Sequence, residues 1–313
     1  MTELHVHLDG SLRPESVREM AEEQHILLEA DPLHPETLAG MLTVPADCRD
    51  LNQYLACFDL PLQVLQAPEY VSRAVKELIR DMAAEGVMQA EIRFAPQLHG
   101  AKGYGQKEIT EGAVRGLREG TALCPGFRGG LILCCMRGSD NQNANEETLR
   151  TASAFLGGGV CAVDLAGAEA LYPTSGYEAL FALARKAGLP FTIHAGEADG
   201  AKSVWDALRF GAERIGHGVR SVDDPALCRY LADHRIPLEV CYTSNLQTKA
   251  MGAEPHPIRK LFDMGIHVTV NTDNRTVSHT TMTEERRLLQ KDFGFTEKEL
   301  AVMEEYAREG CFI

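Results

Sequence analysis

Positive charge is scarce in this sequence. Its 313 residues hold 31 Lys and Arg against 45 Asp and Glu, a formal net charge of −14 at pH 7. A surface of that sign repels phosphate backbones and anionic headgroups, and no basic patch interrupts it, so neither nucleic acid nor membrane is an expected partner. Long apolar runs are missing as well. Nothing approaches the roughly 20 residues that cross a bilayer, and the opening MTELHVHLDG carries charges and histidines where an export signal is apolar. The expected location is therefore cytoplasmic. The nine cysteines are scattered, odd in number and never spaced as CxxC. That argues against a disulfide framework or a cysteine-ligated zinc, and for reduced, mostly buried thiols. Pro/Ser linkers, low-complexity tracts and internal repeats are lacking too.

What is present is the composition of a globular protein, 44% hydrophobic and 24% charged. Eight short segments rich in branched residues recur at 4–9, 89–96, 130–137, 160–167, 190–197, 214–219, 237–244 and 267–273. Stretches with helical periodicity lie between them, among them EYVSRAVKELIRDMAAEG, NEETLRTASAFLGGG and YEALFALARKAG. This alternation predicts a parallel sheet. Eight regular repeats predict an α/β fold closed as a TIM (β/α)8 barrel, one domain over residues 1–313. The first connection, Gly10 to Met88, is the longest and carries extra helical patterns, PESVREMAEEQ and DLNQYLACFDLPLQVL. It reads as a helical insertion after strand 1, on the face where barrels place their active sites.

The chemistry should sit where these strands end, and nearly every one ends in a polar residue. His5 and His7 are two apart on the first strand, so both imidazoles share one face. HxH alone is a weak signal. It gains weight from His194 and Glu197 in HAGE, His217 in IGHG and Asp273 in NTD, each at a later strand end. Three imidazoles and one carboxylate, with a position left for water, suit a catalytic zinc. His5, His7, His194 and Asp273 make up that set.

The motifs HVHLDG, DLAGAE, HAGE, RIGHG, CYTSN and TDN, in this order and spacing, resemble the adenosine deaminase family of the amidohydrolase barrels, across essentially the whole chain. The resemblance implies one Zn2+ held by His5, His7, His194 and Asp273. It makes Glu197 the proton donor to the purine ring and His217 the residue that orients or deprotonates the water the metal activates. Asp9 would contact a ribose hydroxyl and the Gly167 backbone would meet the purine. Relatives with two metals carry a lysine at the end of strand four, where this chain has VDLAG, so one metal is expected. Glu239 is expected to hold His217 in the right tautomer. Asp164 plays a similar part or is simply a buried, paired carboxylate.

One departure stands out. Many members have a second aspartate and a proline after the last ligand, where this chain has Asn274 and Arg275. That aspartate must be protonated to donate to N7 of the purine, whereas an amide donates at any ordinary pH, so Asn274 can keep the contact. The implied activity is hydrolytic deamination of a purine nucleoside, adenosine or 2′-deoxyadenosine, to the inosine product with release of ammonia. The rivals are another 6-aminopurine (adenine, a thioether or futalosine-type nucleoside, or AMP) and a non-catalytic binding relative. Asp9 favours a nucleoside. The joint presence of the four ligands, Glu197 and His217 favours an enzyme.

Overall fold

A computed structural model describes residues 1–28 and 35–313. Its strands are β1 (Thr2–His7), β2 (Gln89–Phe94), β3 (Arg128–Met136), β4 (Val160–Ala166), β5 (Thr192–Ala195), β6 (Arg214–His217), β7 (Leu238–Val240) and β8 (Val268–Val270). β1 to β4 pair in parallel in sequence order, and so do β5 to β8. Two bridges join the halves. Val163 pairs with Phe191, and Val6 pairs with Asp273, the latter through His7 N–H to Asp273 O at 2.7 Å and Asp273 N–H to His5 O at 2.8 Å. The sheet thus closes on itself with helices outside, and the expected barrel is present. Strands covered on both faces need apolar residues on both, and β4, VCAVDLA, is buried along its whole length.

The observed strands are shorter at their mouth ends than the apolar segments predict. The run 237–244 is strand only to Val240, and its CYTSN portion turns into the helix Tyr242–Gln247. β8 stops at Val270, and Asp273 lies beyond it with φ +59°. His217, the last residue of β6, has φ +60°. Left-handed backbone at a residue other than glycine costs roughly 1–3 kcal/mol and persists where surrounding structure enforces it. At these two positions it turns the side chain from the sheet into the barrel mouth.

The insertion after β1 contributes helices Pro14–Glu23, Pro35–Leu42, Leu51–Leu55 and Asp59–Val64 before the outer helix Pro68–Ala84. Residues 29–34 of this insertion lie outside the described part. Val44, Cys48 and Tyr54 pack with Val277 as an apolar cluster separate from the main core, which seats the insertion on the loop after β8. All nine cysteines are free, six of them buried. Among the described residues no helix is long and apolar enough to cross a membrane.

Candidate metal centre and active site

Four side-chain atoms converge on the axis of the barrel mouth. His7 Nε2 is 3.2 Å from His194 Nε2, and Asp273 Oδ1 is 3.4 Å from both His5 Nε2 and His7 Nε2. His5 Nε2 is buried without a hydrogen-bond partner. Imidazole nitrogens aimed at one another and at a carboxylate oxygen, one of them orphaned, are a donor set that fits a cation. Burial, helped by Arg93 and His194, pushes His5 down to about 4, and burial holds His7 well below the ordinary range. Both rings are therefore neutral, as a ligand imidazole must be.

Partners behind the rings set their orientation. Glu239 Oε2 lies 2.8 Å from His5 Nδ1, and Asp164 Oδ2 lies 2.9 Å from His194 Nδ1, with the ring turned off the ideal hydrogen-bond line. Arg93 spans the two carboxylates, Nη1 donating to Asp164 at 2.9 Å and Nη2 to Glu239 at 2.8 Å. Arg93, Asp164 and Glu239 are all fully buried. Burial works against both carboxylates being ionised. Neighbouring groups outweigh it, His194 and Arg93 for Asp164, Arg93 and Arg214 for Glu239, so each titrates below its ordinary range. Asp164 is thus both a buried paired carboxylate and a partner of a candidate ligand. Glu239 departs from expectation. Its partners are His5, Arg93, Arg214 and Thr192, and not His217. β6 and β7 are in register at Gly216 and Glu239, so Glu239 enters the barrel below His217, beside the deeper ligand His5.

The partner of His217 is instead Asn245, whose amide lies 2.9 Å from Nδ1. The other amide atom faces His256 at 3.3 Å. His217 Nε2 is 3.5 Å from Glu197 Oε2, and Thr248 donates to Glu197 Oε1 at 3.0 Å. Burial raises the Glu197 carboxyl above its ordinary value; the neighbouring His217 opposes this and Asp273 adds to it. The HAGE turn is held by one carboxylate, Glu169 of DLAGAE. It accepts from the N–H groups of Gly196, Glu197, Ala198 and Asp199 at 2.7, 3.0, 2.7 and 3.1 Å.

These groups line a cavity of about 210 Å³. Asp9, Gly167 and Asn274 are in its wall with His7, His194, Glu197, His217 and Asp273, and the insertion closes the opposite side with Leu51, Tyr54, Leu55, Phe58 and Leu62. Asp9 Oδ1 and Asn274 Oδ1 are buried with no partner in the protein, acceptors left for a ligand. Burial pushes Asp9 up to about 6. Gly167 has φ +105°, and that angle, more than the space around it, requires glycine. Arg275, the other residue of the departure, leaves the site and pairs with Glu85, which caps the outer helix Pro68–Ala84.

A family model described as adenosine deaminase matches residues 1–313. The chain belongs to the adenosine deaminase family. It is 48% identical to the adenosine deaminase of Haemophilus ducreyi over 93% of this chain and 85% of that one, and 38% identical to that of Enterococcus faecalis over 99% and 91%. Among solved structures, the adenine deaminase of Arthrobacter aurescens superposes with a TM-score of 0.89 at 27% identity, covering 100% of this chain and 93% of that one. A zinc-bound amidohydrolase from Burkholderia ambifaria shares the fold, with a TM-score of 0.88 at 23% identity over 100% and 85%.

Other residues at this family site escaped the sequence reading. Ser244 donates to Asp273 Oδ2 at 2.6 Å, and Cys241 offers a sulfur close to His5, His217 and Asp273. Burial, with Asp273 and Glu3 nearby, holds the Cys241 thiol well above its ordinary value, so it stays protonated beside the nitrogen and oxygen donors. Cys241, Ser244, Asn245 and Thr248 all follow β7. The CYTSN motif was the only signal available, and its apolar periodicity reads as strand although the segment is a helical turn.

Proposed function

We propose that this chain is a zinc-dependent adenosine deaminase, hydrolysing adenosine and 2′-deoxyadenosine to inosine and 2′-deoxyinosine with release of ammonia. The observation that carries the reading is the convergence of His5, His7, His194 and Asp273 on one point beside the buried pair Glu197 and His217. A single Zn2+ on those four residues would acidify a water molecule enough for it to attack at neutral pH.

The chain's own groups supply the rest. Burial raises the Glu197 carboxyl, which favours its acid form, and Glu197 delivers a proton to purine N1 as charge builds there. His256 Nδ1 accepts from the Ile258 N–H, so its Nε2–H donates to the Asn245 oxygen and the Asn245 amide nitrogen donates to His217 Nδ1. His217 thus carries its proton on Nε2, facing Glu197, and would orient the attacking water by donating to it. The free oxygen of Asp9 receives a ribose hydroxyl. The apolar residues of the insertion exclude bulk water. The insertion and barrel act as a single domain over residues 1–313, joined at the cluster of Tyr54 and Val277.

A nucleoside is favoured over a nucleotide because the cavity lies below the roughly 300–1,000 Å³ usual for ligand pockets, and because a raised carboxyl, not a cation, occupies the ribose end. Steady-state rates on adenosine, 2′-deoxyadenosine, adenine and AMP, with elemental analysis of the purified protein, test the proposal. Adenosine should be the best substrate with about one zinc per chain; inactivity on adenosine at full metal loading overturns it.

A further inference from the structure

Two segments supply groups that would meet the purine ring: the loop after β4, with Gly167, and the turn after β5, with Glu197. The first is fixed by the sheet. β4 pairs with β3 as far as Ala166, and Arg137 N–H donates to Ala166 O at 2.8 Å, so Gly167 leaves a strand end that is hydrogen-bonded on its β3 side. The turn is held differently. Its carbonyls reach the loop after β6, Gly218 N–H donating to Ala195 O at 3.1 Å and Arg220 N–H to Gly196 O at 3.0 Å. Its N–H groups, from Gly196 at φ +73° to Asp199, converge on one acceptor, a concavity of the kind that takes an anion.

That acceptor is the buried carboxylate of Glu169, on the same loop as Gly167. Oε1 accepts from Gly196 N–H and from Ser203 Oγ, and Oε2 from the other three N–H groups. A line of donors feeds the first oxygen. Arg137 Nη2 donates to Thr174 Oγ1 at 2.9 Å and Ser203 donates to Glu169 at 2.5 Å, which leaves the Thr174 hydroxyl to donate to Ser203 Oγ at 2.6 Å. Arg137 also donates to His194 O at 2.6 Å, just ahead of the turn. A glutamine at 169 could replace Oε2 with its oxygen, but its amide nitrogen would face Gly196 N–H as donor against donor. The charge of Glu169 acts in the same sense: burial is the largest cause raising the Glu197 carboxyl, and Asp273 and Glu169 add to it.

We infer that Glu169 is a positioning residue for proton transfer: it fixes the turn that carries Glu197 against the loop that carries Gly167, so the ring met by one segment faces the acid held by the other. The inference rests on the deaminase reading above. It separates binding from chemistry. Gly167 is placed by the sheet and stays put without Glu169, whereas the turn loses the acceptor of four N–H groups, so the loss falls on the step that needs the acid.

The experiment compares wild type, Glu169→Gln, Glu197→Gln and the double variant, each normalised to bound zinc, by kcat and KM for adenosine. Glu169→Gln should lower kcat about 10²-fold, the scale of a catalytic group misplaced by about 1 Å, with KM within about threefold of wild type. In the Glu197→Gln background the same change should lower kcat by less than about threefold, because no acid is left to misplace. A folding defect behaves otherwise, since its effect multiplies with that of Glu197→Gln. Ser203→Ala, which removes one donor and breaks the line from Arg137, should lower kcat severalfold in wild type and leave Glu197→Gln unchanged. It carries the test if Glu169→Gln does not fold. An unchanged kcat, a rise in KM that matches the fall in kcat, or effects that multiply overturns the inference. Failure of the deaminase reading looks different: wild type itself is then inactive on adenosine at full metal loading, and the inference falls with it.

Discussion

His5 presents Nδ1 to Glu239 Oε2 at 2.8 Å, with both side chains fully buried. The contact fixes the proton on Nδ1 and leaves Nε2 as the lone-pair nitrogen that faces Asp273 and His7. Replacing Glu239 by Gln keeps the shape but allows the amide to present either end to the ring. Glu239→Gln should lower zinc affinity about ten- to hundredfold, read by competition with a chromogenic chelator. Affinity equal to wild type in a folded variant would mean the bond does not orient a ligand.

In the proposed reaction Glu197 is the proton donor, and burial raises its carboxyl above the ordinary value. Glu197→Gln cannot transfer that proton, and kcat for adenosine should fall roughly 10²- to 10⁴-fold. Zinc content and KM should change little. A fall in KM-limited rate alone would assign Glu197 to binding.

The amide nitrogen of Asn245 faces His217 Nδ1 and sets the tautomer of that ring. Asn245→Ala removes the donor to Nδ1, and kcat should drop about tenfold or more while zinc affinity holds, since His217 is outside the proposed ligand set. Nitrogen-15 NMR of the histidine rings should show His217 shifting toward the Nδ1–H tautomer. A spectrum and kcat like those of wild type would contradict the assignment.

Glu285, on the helix Met282–Phe293, is fully buried and accepts from Thr280 Oγ1 at 2.7 Å and Thr243 N–H at 3.2 Å. Burial pushes it up to about 7, with Asp273 adding to the rise and the two threonines opposing it. A carboxyl whose folded value is raised favours folding while protonated. That contribution is complete below the ordinary value near 4.5 and is lost as pH rises through about 7. The melting temperature of the zinc-loaded protein should therefore fall between pH 5.5 and pH 8, and Glu285→Gln should flatten the fall. Parallel curves for the two proteins would show that Glu285 is not the group responsible.

The barrel was legible because parallel strands buried on both faces leave continuous apolar segments, as in VCAVDLA, and because eight of them repeat with helical stretches between. The candidate ligands were legible for a related reason: His5, His7, His194 and Asp273 interrupt or end apolar segments, where a buried polar residue needs a chemical reason. Glu197 and His217 followed from their neighbours in HAGE and RIGHG.

Pairings across the barrel were a different matter. The sequence places Glu239 one strand after His217, and only the parallel register, Gly216 against Glu239, sends that carboxylate to His5. Asn245 and Ser244 come into reach because the chain leaves the strand at Val240 and coils into a helical turn, which apolar periodicity does not distinguish from a longer strand. Tyr54 is more than two hundred residues from Ser278, and the fold of the insertion alone brings them together. Residue types and their spacing along a strand determine which chemistry this chain can carry out. Which groups share a proton or orient one another depends on strand register and loop closure, since hydrogen bonds act over about 3 Å and sequence distance carries no such information.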